Sequence, residues 1–120
     1  MSYFWVAAGA CGGSLLRFWL IELMKGLFGA GFFGTALANS LGCLIAGGVF
    51  ALSDSFSSEV RLLVMTGFLG SLTTLSGLHI EVLSFLQEGR ILAAFSHIGV
   101  AMVLGLVLCW LGYASVRYFS

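Results

Sequence analysis

Four apolar runs, each of about twenty residues or more, follow one another with only short polar connections, and this spacing leaves few folds open. They cover residues 3–23, 32–52, 62–86 and 91–116. The connections, residues 25–31, 53–61 and 87–90, are too short to carry a core of their own. Of the chain, 60% is hydrophobic and 8% charged, whereas a soluble domain carries about 25% charge. The expected fold is an all-α membrane protein: one domain over residues 1–120, with four transmembrane helices, each antiparallel to the one before. The first apolar run has no basic leader ahead of it, so it reads as a span and not as a cleaved signal. A multi-pass protein of the cell inner or plasma membrane follows.

Composition excludes several functions. The formal net charge is zero, which offers no basic face for nucleic acid. Cys11, Cys43 and Cys109 lie far apart inside apolar runs and read as small buried hydrophobes. No Ser/His/Asp set or paired carboxylate supports catalysis, so an enzyme is not expected.

The third run has an unusual interior. Residues 66–77 hold three glycines and five hydroxyl side chains. Glycine weakens a helix, and irregular backbone survives at membrane depth only when buried in protein or lining a watery cavity. Such broken spans are where ions and small ligands are held. A break is therefore expected in the third span.

Orientation follows the Lys/Arg bias of the short loops. Arg61 and Arg117 fall on the side of the termini, and Lys25 and Arg90 fall opposite. Two against two permits insertion both ways up, and hence an antiparallel homodimer with its two-fold axis in the membrane plane. Small residues recur at helical spacing: Gly9 and Gly13; Ala38, Gly42 and Ala46; Ala101 and Gly105. Such stripes let helix backbones approach closely.

Polar residues within spans are functional candidates by default. Arg17 either attracts an anion or snorkels to the interface on its apolar stem. Asn39 carries two amide donors and an acceptor; it either lines an anion path or makes an interhelical hydrogen bond. His79 and Glu81 are two apart and so do not share a helix face. His97, early in the fourth span, reads more readily as a packing residue than as a ligand. Glu22, Asp54, Glu59 and Glu88 fall at span ends or in loops.

Several motifs then converge. Residues 66–78, TGFLGSLTTLSGL, are similar to the third-helix signature TGFCGGxTTFSTF of the Fluc/CrcB family of fluoride channels. Residues 12–17, GGSLLR, resemble its first-helix GxxxR region, and residues 34–42, GTALANSLG, its GTxxxNxxG motif. Glu81 falls where the family has a Glu after the signature. The resemblance implies a passive fluoride channel built as a dual-topology antiparallel dimer with two narrow pores. It also implies a central structural Na⁺ at the dimer axis, held by backbone carbonyls that map to Gly70 and Thr73. Asn39 would donate to the anion, with the hydroxyls of Thr73, Thr74 and Ser76 along the path. Arg17 would stand near a vestibule, and His97 would line the pore.

The same motifs show departures. The family's two pore phenylalanines present electropositive ring edges to the anion; here Leu75 and Leu78 stand in their places. Ser71 replaces a second glycine, Gly77 a threonine, and Ala101 and Gly105 the hydroxyls common on the fourth helix. Three readings follow: a fluoride-exporting homodimer with a modified pore, a structural subunit of a heterodimer with a related chain, or a channel or transporter for another small solute. A multidrug-type antiporter fits least, because it needs a deep acidic residue in the first span, where Arg17 stands.

Overall fold

A computed structural model describes residues 1–120. Four helical rods account for nearly all of it. The first is α1 (Ser2–Phe28) and the second α2 (Phe32–Ala51), followed by a 3₁₀ turn, Ser53–Ser55. The third is composite: α3 (Ser58–Arg61), a π-helical stretch (Leu62–Leu69), α4 (Gly70–Leu72) and α5 (Leu75–Gln87). The fourth is α6 (Ile91–Phe119). All four rods are long and apolar enough to cross a membrane. The chain is a multi-pass membrane protein, and its 48 Å long axis suits a bilayer of about 40–45 Å including headgroups.

Helix ends follow local chemistry. α1 outlasts the apolar run that predicts it. Lys25 pairs with Glu22 at 3.0 Å on the exposed face, and a cation suits a helix C-terminus. The helix stops at Gly29, whose φ of 74° turns the chain while its N–H closes on the Lys25 carbonyl. The third rod starts where the Ser57 hydroxyl accepts the Val60 N–H at 3.3 Å, an ordinary N-cap. Gly89, with φ 73°, makes the tight reversal before α6.

Packing depends on close backbone approach. α2 lies along α6, and α1 along the π-helical stretch. A Cβ on Gly47 would collide with the Cys109 carbonyl, and one on Gly112 with the Leu44 carbonyl. These two glycines make the closest backbone approach of α2 and α6, and Gly105 also faces α2, where a Cβ would stand 3.2 Å from Cys43 Sγ. Gly9 and Gly67 play the same part between α1 and the third rod. The small apolar core, Leu20, Ala38, Leu69 and Leu72, gathers around the break. The outer face of α6 presents Val103, Leu106 and Trp110, as a lipid-facing helix does.

Candidate functional site

The break lies at Thr73 and Thr74. Both have extended backbones, with ψ of 152° and 112°, so the helical ladder stops at Leu72 and restarts at Leu75. Thr74 caps the new helix: its hydroxyl accepts the Gly77 N–H at 3.0 Å. Threonine suits this position because its oxygen satisfies an otherwise orphaned donor.

Asn39 holds the break from α2. Its Oδ1 accepts the Thr74 N–H at 2.8 Å, and its Nδ2 donates to the Thr74 carbonyl at 3.3 Å. Both ends of the amide are therefore engaged by one residue of the opposing backbone. One Nδ2 hydrogen remains unassigned by this pair, since a carboxamide carries two. Arg17 reaches the break from α1, where its Nε donates to the Ser71 carbonyl at 3.0 Å. The Ser71 hydroxyl turns the other way, within 3.0 Å of the Ala10 carbonyl and 2.8 Å of the Gly67 carbonyl.

Side chains answer the carbonyls of Ser71 and Thr74. The helical partner of the Gly70 carbonyl would be the Thr74 N–H, which goes to Asn39. The tighter alternative, the Thr73 N–H, goes to Leu69 at 3.3 Å. For the Thr73 carbonyl the helical partner would be the Gly77 N–H, which goes to the Thr74 hydroxyl. Gly70 and Thr73 thus keep carbonyls whose regular donors point elsewhere. Carbonyl oxygens freed by unwound backbone are suitable ligands for a small hard cation, so the residues present fit the Na⁺ that the family resemblance implies.

A cavity of about 280 Å³ opens beside the break, between α2, α5 and α6. Asn39, Thr73, Thr74, Leu75, Leu78 and His97 all line it, as do Ser40, Cys43 and Glu81. Arg17, Gly70 and Ser76 are not on its wall. Ser76 is exposed, with its hydroxyl 3.3 Å from that of Thr74. The two leucines differ sharply: Leu75 is 63% exposed at the rim, and Leu78 is 3% exposed.

Glu81 was not among the residues that the sequence motifs place in the path. It lies on the cavity wall with its Oε2 2.8 Å from His97 Nε2. The two are equally distant from Gly89, and residues equally spaced about a tight helical hairpin reach the same depth. That symmetry is the signal in the sequence. His79 points away, with its Nδ1 2.9 Å from the Leu75 carbonyl.

A family profile described as CrcB-like protein, Camphor Resistance (CrcB), matches residues 4–113. The chain belongs to the CrcB family. Among the CrcB relatives, one from Salinibacter ruber is 42% identical over 111 residues, which cover 90% of this chain and 84% of that protein. Another from Thermus thermophilus is 41% identical over 114 residues, covering 92% and 91% respectively. A third, from Nitrosococcus oceani, is 38% identical over 113 residues, covering 91% and 90%. Each bears the name "Fluoride-specific ion channel FluC". CrcB relatives are thus named as channels, not enzymes.

Proposed function

We propose that this protein is a passive fluoride channel that lets the anion leave the cell down its gradient. The observation that carries this reading is a cavity beside the broken third rod that is largely apolar yet brings Asn39, Thr74, Glu81 and His97 to its wall, in a chain whose relatives are named for fluoride. Fluoride is small and tightly hydrated, so a path for it must replace water with hydrogen-bond donors. The free hydrogen of Asn39 Nδ2 and the Thr74 hydroxyl offer such donors at the break. Arg17 places a cation on the far side of the same backbone turn, within reach of the anion's field.

The working unit of this proposal is an antiparallel homodimer. A cavity lined by Asn39, Ser40, Thr74, Glu81 and His97 opens past an apolar rim that includes the exposed Leu75 and Val100. Open to hydrocarbon, its polar groups would each cost several kcal/mol, roughly, if unsatisfied. A second copy inserted the other way up covers that opening, and the balanced loop charges allow it. Gly70 and Thr73 from both copies would then hold Na⁺ through their carbonyls. When bound, Na⁺ supplies positive charge and rigidity at the axis.

Purified protein in liposomes loaded with fluoride tests this directly. Fluoride-selective efflux is expected, with chloride excluded. No efflux from folded homodimer would sink it.

Leu75 and Leu78 favour a second reading. With no ring edge at either position, the chain could serve as the structural partner in a heterodimer with a more typical relative. Co-expression decides between them: a one-to-one complex that conducts, beside a homodimer that does not, selects the second.

A further inference from the structure

The wall of the cavity holds a carboxylate. Glu81 is 18% exposed at its side chain and His97 17%, and their polar atoms are 2.8 Å apart. A bare negative charge beside an anion path opposes passage, and it does so more strongly where water is scarce. The groups around the pair leave only His97 to offset it. From α5, Glu81 itself faces the imidazole. Phe85 stands with its ring centroid 5.5 Å from that of His97, and Phe32 of α2 stands at 5.9 Å, both edge-on. Arg90 lies behind Phe85, its guanidinium 4.8 Å from the ring centroid, and it is held by Glu88 at 3.4 Å. The remaining titratable group on the cavity wall is the Cys43 thiol of α2. No lysine or arginine touches Glu81.

We propose that His97 is the charge-compensating residue of the path: an anion passes Glu81 only while one proton is held between imidazole and carboxylate. With that proton the pair is a neutral unit, an imidazolium beside a carboxylate. Without it the carboxylate stands uncompensated and excludes anions. The proton comes from and returns to the aqueous side, and no bond other than that to the proton changes. This inference rests on the fluoride-channel reading, and it assigns His97 a role distinct from packing.

Fluoride efflux from liposomes at about pH 5.5 and pH 8.5 tests it, because imidazole is the side chain whose charge ordinarily changes between about pH 5 and 8. The unmodified protein, Glu81→Gln, His97→Gln and the double variant are compared, each as monodisperse protein. The unmodified protein is expected to lose on the order of tenfold or more of its flux at the higher pH. His97→Gln should be slower than the unmodified protein at the lower pH, because no imidazolium then stands beside Glu81. Glu81→Gln should be fast at both, and the double variant should match it, so that removing the carboxylate rescues the loss of the histidine. A packing role for His97 would give no rescue. A flat profile in the unmodified protein, or a sloping one in Glu81→Gln, overturns the inference and leaves the fluoride reading intact. No efflux from any of the four at either pH overturns both.

Discussion

Asn39 grips Thr74 at two points, taking its N–H at 2.8 Å and giving a hydrogen to its carbonyl at 3.3 Å. The contact joins residues 35 positions apart, and it lies at the one place where the third rod cannot bond to itself. A side chain that sequence reasoning offers to the anion is thus also a structural clasp. Asn39→Leu removes both bonds and leaves two partly buried backbone groups without partners. We expect a loss of about 1–3 kcal/mol in stability, read as a lower melting temperature in detergent, together with loss of flux. Asn39→Asp keeps the acceptor for Thr74 N–H while adding a negative charge. It should cost less stability than Asn39→Leu and still abolish fluoride efflux.

The two leucines at the aromatic positions are expected to respond differently to phenylalanine. Leu75 is at the exposed rim, so Leu75→Phe should fold normally and raise fluoride flux. Leu78 is buried on the cavity wall, and Leu78→Phe adds volume there, at about 1–3 kcal/mol. Measuring flux and thermal stability for each variant separates the gain of a ring edge from the cost of overpacking. Lower flux in Leu75→Phe, with the fold intact, would refute the argument from the missing rings.

Arg17 donates through Nε to the Ser71 carbonyl. Lysine retains the charge but has neither Nε nor the planar fork of guanidinium. Arg17→Lys is therefore expected to lose stability nearly as much as Arg17→Gln. Full recovery of stability and flux by lysine would instead mark Arg17 as a simple electrostatic attractor.

Gly47 and Gly112 seat α2 against α6 at backbone distance. Gly47→Val should prevent folded protein from accumulating, because its Cβ meets the Cys109 carbonyl and not a movable side chain. Gly26→Ala, where nothing lies within 4 Å, is the control and should be neutral or slightly stabilising. Yield of monodisperse protein on size exclusion reports both.

Replacing Na⁺ with a large organic cation tests the carbonyls of Gly70 and Thr73. A ligand that binds only the folded state stabilises by mass action, so the melting temperature should fall as Na⁺ is withdrawn and recover on its return. A melting temperature indifferent to Na⁺ would count against a cation at this position.

Much of the fold was legible because a bilayer demands apolar runs of a definite length, and these runs carry few charges, Arg17, Glu22 and Glu81 being the exceptions. Residues 91–116 predict α6 almost to its ends. α1 runs past its predicted end because Lys25 and Glu22 pair on a helical face, which hydropathy reads as loop. The break was legible from its glycines and hydroxyls. Its partners were less so. Asn39 could be singled out by its depth, yet nothing local in the sequence says that both ends of its amide meet one residue. The contact of His97 with Glu81 was harder still. Periodicity within a helix separates Glu81 from His79 but is silent about the neighbouring rod, and only the equal distances from Gly89 reveal it.

The π-helical stretch Leu62–Leu69 sits between a conventional N-cap and the break. Each π turn closes on the fifth residue and not the fourth, so the stretch takes up more chain per turn than an α-helix would. In an α-helix each residue rotates the next by about 100°. The winding of those eight residues therefore sets the compass bearing at which Thr73 and Thr74 leave the rod. Tightened to α geometry, the same sequence would present Thr73 and Thr74 to Asn39 at a different bearing. The clasp and the cavity thus depend on a phase fixed just before the break, by a stretch that ends at Leu69, whose carbonyl accepts the Thr73 N–H.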